Sequence, residues 1–225
     1  MYIMVTSLTH DLDIDCLYKN EFEDYEASIV EMEAKVASII AGDAREEIWF
    51  LEYPPLFTAG TSAKDTDLLN PDLFPVHKTG RGGQYTYHGP GMRIIYLMLD
   101  LKRRNRTGAP DLRQYISDLE QVIINCLKRL GIEAKRREGR VGIWVRCDTA
   151  QEAKIAAIGV RVRKWVAFHG VAINIDPDLS HYSAIVPCGI SEYGVTSLKE
   201  QGVDISMHEF DALFQQEFHS LFGEM

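Results

Sequence analysis

Short apolar runs that follow one another, with few helices between them, constrain the fold of this chain most. They occupy residues 2–5, 47–51, 93–99, 141–146, 154–160 and 165–175. Several are flanked by Gly, Pro or Asp turn signals, as β-strands are. Because only three good helical segments accompany them, regular strand-helix alternation fails. The sequence therefore predicts an α+β fold, a mixed and largely antiparallel sheet covered by helices.

Three segments carry the apolar spacing of amphipathic helices. Over residues 18–40 apolar side chains recur alternately four and three residues apart, which predicts a helix packed on the sheet, with a coiled coil as the alternative. A second helix is predicted over residues 111–131, opened by an Asp/Gln capping box and ended by Gly. A third is predicted from residue 206, opened by a Ser/Glu capping box.

Length and composition set the class of protein. The chain has 225 residues, of which 46% are hydrophobic and 25% charged, so one core can form without disulfide or metal support. We expect a single domain over residues 1–225. The longest apolar runs are far below the ~18 residues that span a bilayer, and the N-terminal segment has no signal core. A cytoplasmic protein without membrane contact is expected.

The charge is distributed unevenly. The net charge is -9, yet residues 77–164 carry +11 between flanks of -12 and -8. A basic middle segment predicts a surface for an anionic partner, with ordinary solvated charge as the alternative. The overall acidity argues against nucleic-acid binding.

A glycine-rich segment over residues 79–91 is the first candidate site. Five glycines are costly there unless another backbone or a ligand approaches closely. The segment lacks both GxGxxG spacing and a P-loop lysine, so it does not resemble a phosphate cradle. Donors and aromatic walls suit a ligand chain with a carbonyl head, and a plain hairpin is the alternative. These side chains are Arg81, Gln84, Tyr85, Tyr87 and His88.

Lys154 is the second candidate, because it enters a run of small apolar residues. Burying an ammonium is expensive unless it is paired or neutral. Burial favours the neutral amine that a general base requires. The alternative is a strand-end lysine whose ammonium reaches water.

Cys188 is the third candidate, since it lies between Pro187 and Gly189 where an apolar run turns. A reactive thiol needs a partner that promotes the thiolate. Lys154, His88 and His169 are candidates, and spacing alone does not choose among them. Cys16, Cys126 and Cys147 are interpreted as structural. With no CxxC pair, neither a disulfide framework nor a metal site is expected.

Five segments in order resemble the lipoate-protein octanoyltransferase family, whose members move an octanoyl group from acyl carrier protein to a lipoyl domain. They are YPPLFTAGT at 53–61, GRGGQYTYHGPG at 80–91, KIAAIGVR at 154–161, FHGVAIN at 168–174 and IVPCGI at 185–190. The resemblance covers about residues 50–198. Met92 stands where the family commonly has Gln, and Tyr53 where it often has His.

The resemblance implies the fold of the biotin and lipoate protein ligase catalytic domain and a role for each site residue. Cys188 would be the acyl-thioester nucleophile, and Lys154 would promote its thiolate or relay its proton. The acyl-binding residues would be Arg81, Gly82, Gly83, Gln84, Tyr85, Thr86, Tyr87, His88, Ala157, Ile158, Gly159, Gly170, Val171 and Ala172.

The implied reaction also names partners. The donor would be octanoyl-acyl carrier protein, and the acceptors lipoyl domains of 2-oxoacid dehydrogenase complexes and the glycine cleavage H protein. Replacing a thioester by an amide is downhill, so no ATP or other cofactor is expected, and a monomer is expected. Basic residues at 102–106 and 135–137 become a candidate docking face for the acidic carrier.

Three alternatives stay open at this point. An ATP-dependent lipoate or biotin protein ligase would share the fold, but it needs no nucleophilic cysteine. A cysteine-dependent acyl-thioester hydrolase would use water in place of the target lysine. A non-catalytic domain would only bind acyl carrier protein through the basic segment.

Overall fold

The computed structural model describes residues 3–4, 14–104, 108–147, 151–186 and 193–223. In this part of the chain the helices are α1 (Tyr25–Ala41), α2 (Leu112–Arg129) and α3 (Met207–Phe222). The strands are β1 (Ile3–Met4), β2 (Ile14–Phe22), β3 (Glu46–Glu52), β4 (Leu56–Ala59), β5 (Val76–Lys78), β6 (Tyr85–His88), β7 (Met92–Asp100), β8 (Ala134–Arg137), β9 (Arg140–Arg146), β10 (Glu152–Arg163), β11 (Val166–Asn174) and β12 (Gly194–Val195). None of these helices is both long and apolar enough to cross a bilayer.

Within the described residues, nine strands form one sheet. Its order is β1-β2-β3-β7-β11-β10-β9-β8, with β12 beside β10. Strands β2 and β3 are parallel, as are β10 and β12, and the remaining pairs of this sheet are antiparallel. A smaller sheet has the order β5-β4-β6. The predicted α+β class, with a largely antiparallel sheet, is confirmed.

The large sheet buries both faces. One face packs against α2 and α3, and we call this cluster the α2/α3 core; the other packs against α1 and the small sheet, and we call it the α1 core. Successive side chains of a strand point to opposite faces. In β7 the α2/α3 core therefore receives Ile95, Leu97 and Leu99, and the α1 core receives Ile94, Tyr96 and Met98.

Helix caps follow the local sequence closely. The Ser206 side chain accepts from the Glu209 N–H while the Glu209 carboxylate accepts from the Ser206 N–H, so this capping box is confirmed. Asp111 caps α2 by accepting from the N–H groups of residues 113 and 114. The Gln114 side chain instead donates to Asp118 at 2.8 Å, so only the Asp half of that box forms.

The predicted start of the first helix at residue 18 is wrong. Asp24 caps α1, which begins at Tyr25, and residues 14–22 form β2. The apolar residues Ile14 and Cys16 are two positions apart, which is the strand period, and both are buried in the α2/α3 core. Tyr18 continues this row and stacks on Phe50 of β3, with ring centroids 5.0 Å apart. Sheet pairing on both sides overrides the helical spacing.

Candidate active site

A cavity opens where β9 stops covering the edge of β10. Pairing of the two strands ends with Ala156 opposite Ile143, after a register shift. Beyond that point the glycine-rich loop approaches the edge, and the Gly82 N–H donates to the Val160 carbonyl at 3.1 Å. The cavity beside it has a volume of about 490 Å³. It is large enough for a small acyl ligand.

Most of the residues predicted to bind substrate line this cavity. Strands β10 and β11 supply one wall, and the loop before β6 supplies another. The predicted residues in its walls are Arg81, Gly82, Gly83, Gln84, Thr86, His88, Lys154, Ala157, Ile158, Gly159, Gly170, Val171 and Ala172. Three segments far apart in the sequence thus meet at one site.

Tyr85 and Tyr87 lie outside these walls. Side chains alternate along β6, so Thr86 and His88 face the cavity while the two tyrosines face away from it. Tyr87 is buried, and its hydroxyl lies 2.9 Å from Nδ1 of His181. Tyr85 borders a small second cavity beside Asn174. Tyr87 is thus buried in the core, outside the walls of this cavity.

Close backbone approach explains the glycines. A Cβ on Gly60 would lie 2.3 Å from the carbonyl oxygen of Gly83. A Cβ on Gly159 would lie 3.1 Å from the carbonyl oxygen of Gly82. The loop can therefore press against β4 and β10 only where side chains are missing.

Arg81 holds the loop in shape. Its Nη2 donates to the carbonyl of Thr58 at 3.0 Å, to the hydroxyl of the same residue at 2.6 Å and to the carbonyl of Gln84 at 3.0 Å. Its Nη1 donates to the carbonyl of Gly82 at 2.9 Å. The guanidinium thereby ties the loop to β4 and places a positive charge at the cavity wall.

His88 and His169 are held neutral by their surroundings. Burial, together with the smaller effect of the nearby Arg81 guanidinium, lowers the pKa of each imidazole to about 3. His88 Nε2 lies 3.1 Å from the Thr58 hydroxyl, while its buried Nδ1 has no hydrogen-bond partner among the described residues. Neither histidine can supply positive charge to a thiolate at neutral pH. Of the three candidate partners of Cys188, this disfavours both histidines.

Lys154 does not extend its ammonium into bulk water. Lys154 is only 6% exposed, and its Nζ donates to the main-chain carbonyl of Val141 at 2.5 Å. The same atom lies 5.2 Å from the centre of the Trp144 ring. Gly142 makes this arrangement possible, because a Cβ there would lie 2.8 Å from Cε of Lys154. The ammonium is thus fixed at the cavity wall rather than solvated.

The predicted nucleophile, Cys188, lies outside the described residues. The described chain resumes at Tyr193, whose ring centre lies 5.5 Å from that of Trp144. It continues into β12, which pairs with Ala153 and Lys154 of β10. Cys126 is buried on α2, and burial raises the pKa of its thiol. Among the described residues, no three His, Cys, Asp or Glu side chains are grouped closely enough to hold a metal ion.

Several cavity residues were not predicted. Tyr25 comes from α1, Tyr96 from β7, and Leu112 and Ile116 from the first turns of α2. Nothing in their local sequence distinguishes them from ordinary core residues. A signal exists for Arg140, which follows a turn glycine and lines the cavity next to Val141. Its guanidinium lies 4.7 Å from the Trp144 ring centre.

The candidate docking face is largely neutralised by carboxylates of the same chain. Arg104 is paired with the buried Glu46, so it is a structural residue rather than a docking residue. Arg136 lies 2.9 Å from Glu120, and Arg137 is paired with Glu152. Lys102 and Lys135 have carboxylate partners at 3.6 and 2.6 Å, and residues 105 and 106 lie outside the described residues. The linear charge count therefore overstates the available positive surface.

Comparison with known proteins identifies the family of this chain. The sequence profile of the lipoyl protein ligase A/B catalytic domain matches residues 24–219. The chain belongs to this family. An octanoyltransferase of Agrobacterium fabrum is 54% identical over 207 residues, covering 88% of this chain and 76% of the relative. An octanoyltransferase of Paramagnetospirillum magneticum is 56% identical over 200 residues, covering 89% of this chain and 92% of the relative.

Solved structures of lipoate protein ligases share the fold. A crystal structure of lipoate-protein ligase A bound with ATP matches with a TM-score of 0.69 at 17% identity, covering 93% of this chain and 85% of that one. A bipartite lipoate protein ligase from Thermoplasma acidophilum matches with a TM-score of 0.63 at 16% identity, covering 86% and 79%. The octanoyltransferase resemblance is confirmed by the relatives, and the chain is an acyltransferase.

Proposed function

We propose that this acyltransferase moves an octanoyl group from acyl carrier protein to a lysine of a lipoyl domain, through a thioester on Cys188. The position of Lys154 carries the proposal. Its ammonium is buried in the wall of a cavity suited to an acyl chain and is held by the Val141 carbonyl. A fixed cation that can also release a proton is what both half-reactions require.

In the first half-reaction the Cys188 thiolate attacks the carbonyl carbon of the octanoyl thioester. The new carbon-sulfur bond forms as the bond to the carrier sulfur breaks. Lys154 gives its proton to the departing carrier thiolate and becomes a neutral amine. The products are the octanoyl-enzyme thioester and the free carrier thiol.

In the second half-reaction the amine of the target lysine attacks the octanoyl-enzyme. The carbon-nitrogen bond forms, the bond to the Cys188 sulfur breaks, and the neutral Lys154 amine takes the proton released by the attacking nitrogen. This restores the thiolate and the ammonium. No ATP is consumed, because an amide replaces a less stable thioester.

The residues around Lys154 support a role for this one amine in both steps. Gly142 leaves room for its Cε, and the ring of Trp144 covers the ammonium from one side. The apolar residues Ala157 and Ile158 line the same cavity as Lys154 and suit a hydrocarbon chain. The acceptors we propose are the lipoyl domains of 2-oxoacid dehydrogenase complexes and the glycine cleavage H protein, in the cytoplasm, with the enzyme acting as a monomer.

Intact-mass spectrometry of a defined reaction tests the proposal. Purified enzyme is mixed with octanoyl-acyl carrier protein and an apo lipoyl domain, without ATP. We expect an octanoyl group on the lipoyl-domain lysine and a transient octanoyl adduct on the enzyme that is absent in Cys188→Ala. Loss of the carrier thioester with no modified lipoyl domain would indicate a hydrolase instead. An absolute need for ATP would indicate a ligase.

A further inference from the structure

His169 has a backbone conformation that strands rarely contain. Its φ is +60°, in the left-handed region, although it lies within β11. Strand β11 is paired with β10 on one side and β7 on the other. A non-glycine residue is strained in this conformation, and such strain persists only where the surrounding structure enforces it.

The strained backbone moves the imidazole to the other face of the sheet. His169 is opposite Val160, and the neighbouring positions Val171 and Ile173 face the α2/α3 core. Regular alternation would direct His169 to that same apolar face. Its ring instead lies 5.5 Å from the ring of Tyr96, which belongs to the α1 core, and stacks on Phe168 at 5.4 Å.

On this face His169 forms part of the inner wall of the cavity. It is buried there together with His88, Ile94 and Tyr96, all of which line the same space. By contrast, Val141, which holds the Lys154 ammonium, is 60% exposed and lies at the mouth. The cavity therefore runs inward from Lys154 toward His169.

The length of this path matches a medium acyl chain. Gly142 relates the Lys154 ammonium to a position along β10. A Cβ on Gly142 would lie 2.6 Å from the carbonyl oxygen of Ala156 and 3.0 Å from Nζ of Lys154, so the ammonium lies beside Ala156. From Ala156 to Val160, the partner of His169, the strand rises roughly 13 Å. An extended eight-carbon chain spans roughly 9 Å from carbonyl to methyl group. Octanoyl ends short of His169, while a chain of about twelve carbons reaches it.

The inner wall resists a longer hydrocarbon chain because it is polar. The imidazoles of His169 and His88 both line this wall, and within the described residues the buried Nδ1 of His88 has no hydrogen-bond partner. A hydrocarbon tail that reaches these atoms excludes water from them and offers no hydrogen bond in return. Burying polar atoms without hydrogen-bond partners is unfavourable.

We propose that His169 closes the inner end of the acyl cavity and sets the longest acyl chain that the enzyme accepts, an inference that rests on the proposed transfer of octanoyl. The strained backbone serves to bring the imidazole to this wall. A glycine at this position would relieve the strain but open the cavity.

Chain-length profiles of His169 variants test the inference. The ratio of kcat/KM for twelve-carbon over eight-carbon acyl carriers is measured for the wild type, His169→Gly and His169→Leu. We expect the ratio to rise about tenfold in both variants, the effect of a changed fit of one or two methylenes in an apolar pocket. The Gly variant tolerates the left-handed backbone, so it keeps the test valid if the Leu variant fails to fold. An unchanged ratio in the folded variants would overturn the inference.

Lys164→Gly is the matched control. Lys164 has a φ of +50° in the exposed turn between β10 and β11, so this change also relieves left-handed strain, but outside the cavity. We expect it to leave the ratio unaltered. If it raises the ratio as His169→Gly does, strain release rather than the imidazole controls selectivity, and the inference fails.

Calorimetric binding of octanoic, decanoic and dodecanoic acids separates this inference from the proposed function. If the wild type transfers no octanoyl, the proposed function fails, yet the binding series still decides the role of His169. Tighter binding of dodecanoic acid by His169→Gly, relative to octanoic acid, supports the inference. An unchanged order of affinities contradicts it.

Discussion

The Lys154 ammonium and the Val141 carbonyl form a hydrogen bond of 2.5 Å at the wall of the cavity. Val141 belongs to β9 and Lys154 to β10, so the contact depends on how two neighbouring strands diverge. The register shift after Lys154 brings the side chain alongside the edge that β9 leaves uncovered. An amine held in this way has a defined position and direction, which proton transfer requires.

Lys154→Arg is expected to lower kcat at least about 100-fold, because a guanidinium keeps the charge but does not exchange a proton near neutral pH. Single-turnover transfer of octanoyl from the carrier is the measurement. Thermal unfolding of the variant checks that the fold is retained. A variant with nearly full activity would show that Lys154 acts only as a fixed charge.

Gly142→Ala is expected to lower kcat about tenfold or more by displacing the ammonium. The residue has a φ of +114°, and its Cβ would lie 2.8 Å from Cε of Lys154 and 2.6 Å from the Ala156 carbonyl. A loss of this size corresponds to about 1.4 kcal/mol of transition-state stabilisation. Steady-state kinetics at saturating carrier measure it.

Gly202→Ala is the control for this change. Gly202 also has a positive φ, of +80°, but no heavy atom lies within 4 Å of where its Cβ would stand. It should lose about 1 kcal/mol of stability and keep its kcat. Equal kinetic losses in the two variants would mean that backbone strain, not the contact with Lys154, is responsible.

The buried histidines predict a pH profile without an imidazole step. Because the pKa of His88 and of His169 is lowered to about 3, both rings stay neutral from neutral pH down to well below pH 5. The profile of kcat/KM should therefore show no inflection near pH 6.5 that belongs to either ring. An inflection there that disappears in His88→Gln would contradict the neutral assignment.

The lowered pKa values of His88 and His169 also make the stability of the fold depend on pH. In the unfolded chain each imidazole binds a proton near pH 6.5, and in the folded chain only near pH 3, so the unfolded state binds more protons between these values. The free energy of unfolding should therefore fall as the pH drops below 6.5. Urea unfolding at pH 7 and pH 5 measures this fall, which should be smaller in His88→Gln than in the wild type.

Arg104→Ala is expected to cost about 3 kcal/mol of stability, because it leaves the carboxylate of Glu46 buried without its ion-pair partner. Arg103→Ala is the matched control, since that side chain is exposed and should cost less than about 0.5 kcal/mol. Urea unfolding compares the two. If Arg104→Ala unfolds like the wild type but has a higher KM for the carrier, the docking interpretation of this residue is restored.

Features that depend on neighbours in sequence could be predicted from the sequence alone. The caps at Asp111 and Ser206 are local hydrogen bonds, so the starts of α2 and α3 follow from a few consecutive residues. The family motifs and most of the cavity residues also follow from the sequence, because they lie in contiguous segments. The sequence also indicates a special role for Lys154, because a charged residue in an apolar run is unusual.

Other features depend on which distant segments meet, and only the tertiary structure decided them. Pairing with β1 and β3 makes residues 14–22 a strand, although part of this stretch has helical spacing. Glu46 of β3 forms an ion pair with Arg104, and Tyr96 of β7 lines the cavity. The sheet face to which the His169 side chain points depends on the positive φ of this residue, which lies between the flanking strands β10 and β7. Local propensity is a weak term, and burial and strand pairing between distant residues outweigh it.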